Sequence, residues 1–200
     1  PTGVDLRRVM NLAQMVQSNA LSFFHLSSPD LLFGFDADPA ERNILGVARA
    51  NPQLARDGVA VRRFGQQIIE WLGGKRIHPA WIVPGGVDAP LSADTRDRIL
   101  ATIPEAIAAI ERAIAWYTAS LVRWEGEAAT FGDFRSAFMG LVDEHGTVDH
   151  YGGLLRVMDA DGTWLADRID PRTYQDYLGE SVEPWSYLKS TYWKALGYPD

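Results

Sequence analysis

The stretch SADTRDRILATIPEAIAAIERAIAWYTASLVRW, Ser92 to Trp124, decides the fold class. Its Ile99, Ile103, Ile107, Ile110, Ile114, Tyr117, Leu121 and Trp124 recur every three or four residues, the period at which side chains line one face of an α-helix. The spacing predicts a long helix with its isoleucine stripe in the core. Ser92 or Asp94 is placed to cap its start. Pro104 removes one backbone donor and crowds the preceding turn, so a kink is expected near Ile103; the stripe continues on both sides, which favours a kink over a break.

Upstream lies the connector GGKRIHPAWIVPGGV, Gly73 to Val87, too rigid and too apolar to be filler. Before it, Asn51 and Pro52 read as a cap followed by proline at the first helical position, starting a second long helix that runs to Leu72 and ends at Gly73. Leu6, Val9 or Met10, Ala13, Val16 or Gln17, Ala20 and Phe24 predict a first long helix from Asp5 to about Ser27. Ser28 with Pro29 predicts a short restart that stops at Gly34, and the series from Asp38 to Glu41 repeats the same start signal.

Downstream the period changes, because LLRVM (154–158) and TWLAD (163–167) flank Asp159, Ala160, Asp161 and Gly162, a hairpin-type connection. Asp170 and Pro171 start a brief helical turn, and the aromatic tail from Trp185 to Tyr198 is a short helix or an anchored loop. No internal repeat or low-complexity run stands out. The fold class is therefore mainly α, a long-helix bundle with a small antiparallel β-hairpin (α+β). It is one partial domain, with a helical portion over 1–140 and a hairpin and short-helix portion over 141–200.

Composition excludes several function classes. Apolar residues make up 46% and charged residues 22% of the 200, values of an ordinary globular chain. A net charge of -7 with scattered basic residues argues against a nucleic-acid surface. No run approaches the ~20 apolar residues of a membrane span, and PTGVDLRR lacks the layout of a secretory signal, so a cytoplasmic protein is expected. The absence of cysteine excludes disulfides, zinc-thiolate sites, iron-sulfur ligation and a thiol nucleophile. Pro1 in place of Met, and Asp200 directly after Gly-Tyr-Pro, lead us to expect truncation at both ends.

Among candidate sites, His78 stands between Ile77 and Pro79 in a backbone stiffened by Pro79 and Pro84, where an imidazole is held in place; the competing reading is a loop histidine capping carbonyls. Gly85 and Gly86 lack the strand and the Lys-Ser pair of a phosphate cradle, so they are read as a close backbone approach to a neighbour. His25, beside Phe23 and Phe24, is expected to be a hydrogen-bonded core residue. Asp143, Glu144, His145, Asp149 and His150 fit no metal spacing and are expected to form a solvated loop, and Asp159 to Gly162 a turn. No serine stands in an elbow-like setting, and no carboxylate pair can be singled out among 26 acids. Trp81, Trp116, Trp124, Trp164, Trp185 and Trp193 are packing or interface anchors.

The connector GGKRIHPAWIVPGGV resembles a loop of nickel-iron hydrogenase large (alpha) subunits, and QSNALSFFHLSSPDLLFG (Gln17 to Gly34) resembles the same family. So do VDHYGGLLRVMDADG (Val148 to Gly162) and PWSYLKSTYWKALGYPD (Pro184 to Asp200), which look like the soluble NAD(P)-linked type. The likeness covers nearly the whole chain, as an internal fragment without the N- and C-terminal cysteine motifs. It implies a part of the larger hydrogenase large-subunit fold, in an oxidoreductase of reversible H2 oxidation coupled to NAD(P) or a similar carrier. As partner it implies an iron-sulfur small subunit, facing the loop of His78, Pro79, Trp81, Pro84, Gly85 and Gly86, with His78 tuning or gating electron transfer. Relatives carry His where this chain has Asn19 and Ser22, which weakens any proton-handling role for that segment. The rival reading is a non-enzymatic helical interaction module, related to this family or to the quinone-site subunit of complex I; a third is a small-ligand binder between the helices.

In the intact subunit the resemblance implies a nickel-iron centre held by soft thiolates. This chain has none, so it is expected to bind no cofactor of its own and to be inactive alone. Metal analysis of the purified 200-residue chain should find far less than one nickel per molecule; stoichiometric nickel with hydrogen-dependent dye reduction is the contrary result.

Overall fold

The computed structural model describes residues 2–198. They form two compact units, one ending at Thr130 and the other beginning at Phe131. The class is α+β, with long helices in the first unit and small antiparallel sheets in the second.

Helix α1 (Gly3–Ala20) opens on a reciprocal cap, in which Asp5 N donates to Thr2 Oγ1 at 3.2 Å and Thr2 N donates to Asp5 Oδ2 at 2.8 Å. It widens into a π-helical segment, Leu21–Ser27, and runs on into α2 (Ser28–Phe33). The restart expected at Ser28 is thus no new cap. Ser28 is buried within the helix, and its Oγ donates back to the Phe24 carbonyl, the local bond a mid-helix serine makes. Gly34 ends α2 at φ +94°.

The start signal at Asp38 produces a turn instead of a helix. Asp38 Oδ1 accepts from Ala40 N at 2.8 Å, and its carbonyl accepts from the Glu41 and Arg42 amides at 2.9 Å. Helix α3 (Ile44–Ala50) begins only after Asn43, whose Oδ1 accepts from the Leu45 and Gly46 amides. Helix α4 (Pro52–Gly73) starts and stops as its spacing predicts, ending where Gly74 takes φ +72°. A two-strand hairpin follows, β1 (Ile82–Val83) with β2 (Gly86–Val87). Helix α5 (Ala93–Ser120) is capped by Ser92, whose Oγ accepts from Thr95 N at 3.1 Å, and continues through Pro104. A short α6 (Glu125–Ala128) closes the unit.

The isoleucine stripe meets the core only in part: Ile99 and Ile110 pack half-buried against it, but they do not form the buried seam of α5. Its buried residues are Ala106, Ala109 and Ala113, while Ile107 and Ile114 are 49% and 58% exposed. Small side chains let two helix backbones approach closely, so the alanine row takes the seam and larger residues flank it. Ala109 and Ala113 pack in one cluster with Leu54 and Val61 of α4 and with Ala20 and Phe24. Glycines of α4 make the same allowance elsewhere: a Cβ on Gly65 would stand 2.6 Å from the Ala13 carbonyl oxygen and 2.9 Å from the Gln17 nitrogen of α1, and one on Gly58 would stand 2.6 Å from Phe24 Cβ.

One buried charge crosses the α4–α5 seam. Asp57 is 3% exposed and accepts from Arg112 Nε at 3.0 Å, Arg112 Nη2 at 2.6 Å and Gln53 Nε2 at 2.9 Å. Burial pushes its carboxyl pKa up, but the bonds from Arg112 and Gln53 outweigh that and hold it below the usual range. A depressed folded-state value means that the pair's stabilisation is present above the unfolded carboxyl pKa and is lost as pH falls through the depressed value.

In the second unit β3 (Phe138–Val142), β4 (Leu154–Met158) and β5 (Trp164–Ile169) form an antiparallel sheet in that order. The β4–β5 hairpin matches the sequence reading. Leu155 and Val157 alternate inward to join Ile169 in the core. Between the pairs Val157↔Ala166 and Leu155↔Ile169 the register shifts, and Arg168 lies in that interval at φ +58°. The aromatic tail, expected as a helix or loop, holds strand β7 (Ser190–Trp193), paired with β6 (Leu178–Ser181), and then a short 3-10 helical turn, Lys194–Leu196. Tyr177 stacks on Trp193 with ring centroids 5.6 Å apart, a cross-strand support that sequence periodicity does not register. Residues 199 and 200 of the tail lie outside the described residues. Among the described residues no helix is long and apolar enough to cross a membrane.

Gly65→Ala should destabilise the chain by about 1–3 kcal/mol through overpacking of α4 on α1. Gly126→Ala, which meets nothing within 4 Å, should not. Equilibrium denaturation of both variants measures the difference.

Candidate functional site

The connector after α4 is a short rigid projection with an inner and an outer face. Gly74 turns the chain, and Pro79 folds back onto Gly73, where an added Cβ would stand 2.4 Å from Pro79 Cβ. Trp81, 4% exposed, packs with Leu6, Met10, Ile69 and Leu72. Its Nε1 donates to the Ala89 carbonyl at 3.0 Å, and its own carbonyl accepts from Asp88 N at 2.8 Å. Pro84 and Gly85 make the turn of the β1–β2 hairpin, with Gly85 at φ +87°, a conformation that glycine adopts without penalty. At the base of α1 a Cβ on Gly3 would stand 3.2 Å from Gly86 Cα. Gly86 does serve a close backbone approach, and a neighbour it meets belongs to its own chain.

Of the six loop residues singled out in the sequence, Pro79, Trp81 and Gly86 are anchors. His78, Pro84 and Gly85 are exposed, beside Ile77 and Ile82, which are 68% and 52% exposed. His78 sits at φ +50° and hydrogen-bonds to no described residue, so it does not cap carbonyls. A non-glycine residue held in that region stores on the order of 1 kcal/mol or more, a cost found where a loop has a task.

His25 departs from expectation. It is half-buried in the π-helical segment, but its Nδ1 is buried without a hydrogen-bond partner among the described residues. The wider turn places it toward α4, and sequence spacing carries no sign of a π segment.

The acidic group of the second unit forms turns. Asp143 Oδ1 accepts from His145 N and Thr147 N, both at 2.9 Å, with Gly146 at φ +83°. Asp159 Oδ1 accepts from Asp161 N at 2.9 Å and Thr163 N at 2.8 Å, with Gly162 at φ +81°. The two turns share the pattern Asp-x-x-Gly-Thr, a short repeat that the sequence carries and that its reading for motifs missed. Asp149 Oδ1 caps the next turn by accepting from Tyr151 and Gly152.

A groove of about 440 Å³ between α1, the π-helical segment and α5 is lined by Leu12, Met15, Phe23, Ile110 and Tyr117, with Asn19 as its polar member. The described residues bring together no group of three His, Asp or Glu side chains able to hold a metal ion, and the sequence has no cysteine. The donors of this chain therefore do not fit a thiolate-bound nickel-iron centre.

No family model matches the chain. It is 37% identical, over 98% of its own length and 41% of the relative's, to the beta subunit of the NAD-reducing hydrogenase HoxS of Cupriavidus necator. It is 36% identical, over 98% of its own length and 46% of the relative's, to a subunit of the F420-non-reducing hydrogenase vhu of Methanocaldococcus jannaschii. Its fold superposes with a TM-score of 0.92 and 45% identity on a chain in a crystal structure of an NAD+-reducing NiFe-hydrogenase in the H2-reduced state, covering 98% of this chain and 43% of that one. The chain thus spans less than half the length of these hydrogenase subunits. One expectation is corrected here. The first of these relatives is named a beta subunit, and neither of the two is named a large or alpha one. The iron-sulfur small subunit followed as partner only from the large-subunit designation and is withdrawn with it.

Trp81→Ala should cost about 3–5 kcal/mol through the lost core side chain. Hydrogen exchange should quicken over residues 76–89 in that variant, while Trp81→Phe should retain most of the protection.

Proposed function

We propose that this chain is a structural and docking part of a hydrogenase subunit, in an oxidoreductase complex that interconverts H2 with protons and electrons and passes the electrons to a nicotinamide or similar carrier. The observation that supports this most is likeness of fold and sequence together: 45% identity with a TM-score of 0.92 over 98% of the chain. The metal centre of such a complex is held by polypeptide other than the residues of this chain, whose donors do not fit it. What this chain contributes is a helical wall and a presented loop. Pro79, Trp81 and Gly86 hold the loop rigid from inside, so little entropy remains to be lost when a neighbouring subunit meets Ile77, His78 and Ile82. Apolar residues on a preformed projection, next to an imidazole in a strained backbone, suit a protein interface better than a catalytic pocket, because nothing around His78 encloses a substrate.

Co-expression of the chain with the other subunits of its hydrogenase complex and affinity purification tests this reading. Ile77→Asp and Ile82→Asp, both at exposed positions, should each lower the yield of co-purified partner about tenfold, the change expected for placing an unpaired charge in a desolvated contact. Full retention in the double variant would show that the complex assembles through another face.

A further inference from the structure

We infer that the cavity between the π-helical segment and α4 is an oxyanion site, recognising a phosphate or carboxylate group. The cavity measures about 560 Å³, and His25, Arg62, Arg63, Gln66, Gln67 and Arg76 line it. Arg62, Arg63, Gln66 and Gln67 follow one another at i, i+1, i+4 and i+5 of α4, so one helix face carries two guanidinium groups and two amides. Arg76 arrives from the connector, tied there by its Nε to Glu70 at 2.8 Å and by its carbonyl, which accepts from Gln66 Nε2 at 3.2 Å. His25 faces them from the π turn.

Two independent features point to a ligand. Arg62 Nε and His25 Nδ1 are both buried and lack a hydrogen-bond partner among the described residues. A buried donor left unmade costs about 1–3 kcal/mol, more when charged, so Arg62 Nε is a standing demand for an acceptor, and His25 Nδ1 adds a second one in the tautomer that carries its proton there. Charge gives the sign of that acceptor. Three arginines meet one carboxylate, Glu70, in a chain whose net charge is -7. Glu105 lines the adjoining cleft with Arg63 but forms no ion pair with it among the described residues. Guanidinium forks and primary amides together present the geometry that planar or tetrahedral oxyanions accept. The site lies in the helical unit and does not depend on the loop's docking role.

NMR on the intact 200-residue chain, 15N-labelled and read at the arginine Nε–Hε resonances, tests the assignment. Inorganic phosphate and a blocked triglutamate peptide are titrated separately at matched ionic strength, with chloride as control. A saturable shift of the Arg62 resonance with phosphate identifies a free anion as the ligand; saturation with the peptide alone identifies a carboxylate presented by a polypeptide. In either case Arg62→Gln should weaken binding about tenfold, the loss of one charge-assisted hydrogen bond. The exposed Arg63→Gln, read at Arg62 Nε, should weaken it severalfold, and so keeps the test open if Arg62→Gln fails to fold. No saturable shift with either probe, or unchanged affinity in Arg63→Gln, would overturn the site and leave water as the partner of both buried nitrogens.

Discussion

The helical unit depends on how closely α4 can approach its neighbours. Gly65 admits the backbone of α1, Gly58 admits the Phe24 ring of the π-helical segment, and the row Ala106, Ala109 and Ala113 admits α4 from the other side. Each approach leaves no room for a further carbon, and interiors packed to crystal-like density cannot absorb one without moving a helix. Because the seam is tight, the charge it encloses must be satisfied within it. Asp57 is, through a two-point contact with Arg112 and a third bond from Gln53. The alanine row takes the closest contact, Ile99 and Ile110 pack beside it, and Ile107 and Ile114 face solvent.

The placement of α4 also sets the functional surfaces. Its C-terminal end, Gly73, receives Pro79, and from there the connector is pinned by Trp81 in the α1–α4 core, so the hairpin is presented as a rigid edge. Its middle, from Arg62 to Gln67, forms a wall of the polar cavity, and the π-helical segment supplies His25 opposite. A single helix thus carries a glycine-lined face that packs on its neighbours and an arginine-bearing face that lines the polar cavity. Among the described residues neither surface brings together three His, Asp or Glu side chains able to hold a metal ion.

Local signals carried much of the fold. Asn51 with Pro52, Ser92 and Asp170 are caps whose side-chain oxygens accept backbone amides, and Gly34 and Gly74 end helices at positive φ; all of these are nearest-neighbour chemistry. The Asp159 turn and its hairpin were legible for the same reason, and the matching Asp143 turn was equally available. Of the candidate site, the rigidity of the connector was visible in its prolines and glycines, but which residues anchor and which face outward was not. Trp81 and His78 are separated by only two residues, and only the packing of Leu6, Met10 and Leu72 decides that one is buried and the other exposed.

By itself, then, the sequence determined where α4 begins and ends and where α5 begins, that the class is helical with a hairpin, and that this chain supplies no cysteine thiolate, because these follow from residue types and their immediate spacing. Tertiary structure alone decided that alanines form the buried seam of α5, that the aromatic tail contains a strand, and that Asp57 meets Arg112 while His25 Nδ1 and Arg62 Nε meet no described partner. Those outcomes depend on partners far away in the chain, and a periodicity shows that a face exists without showing which face another element will cover.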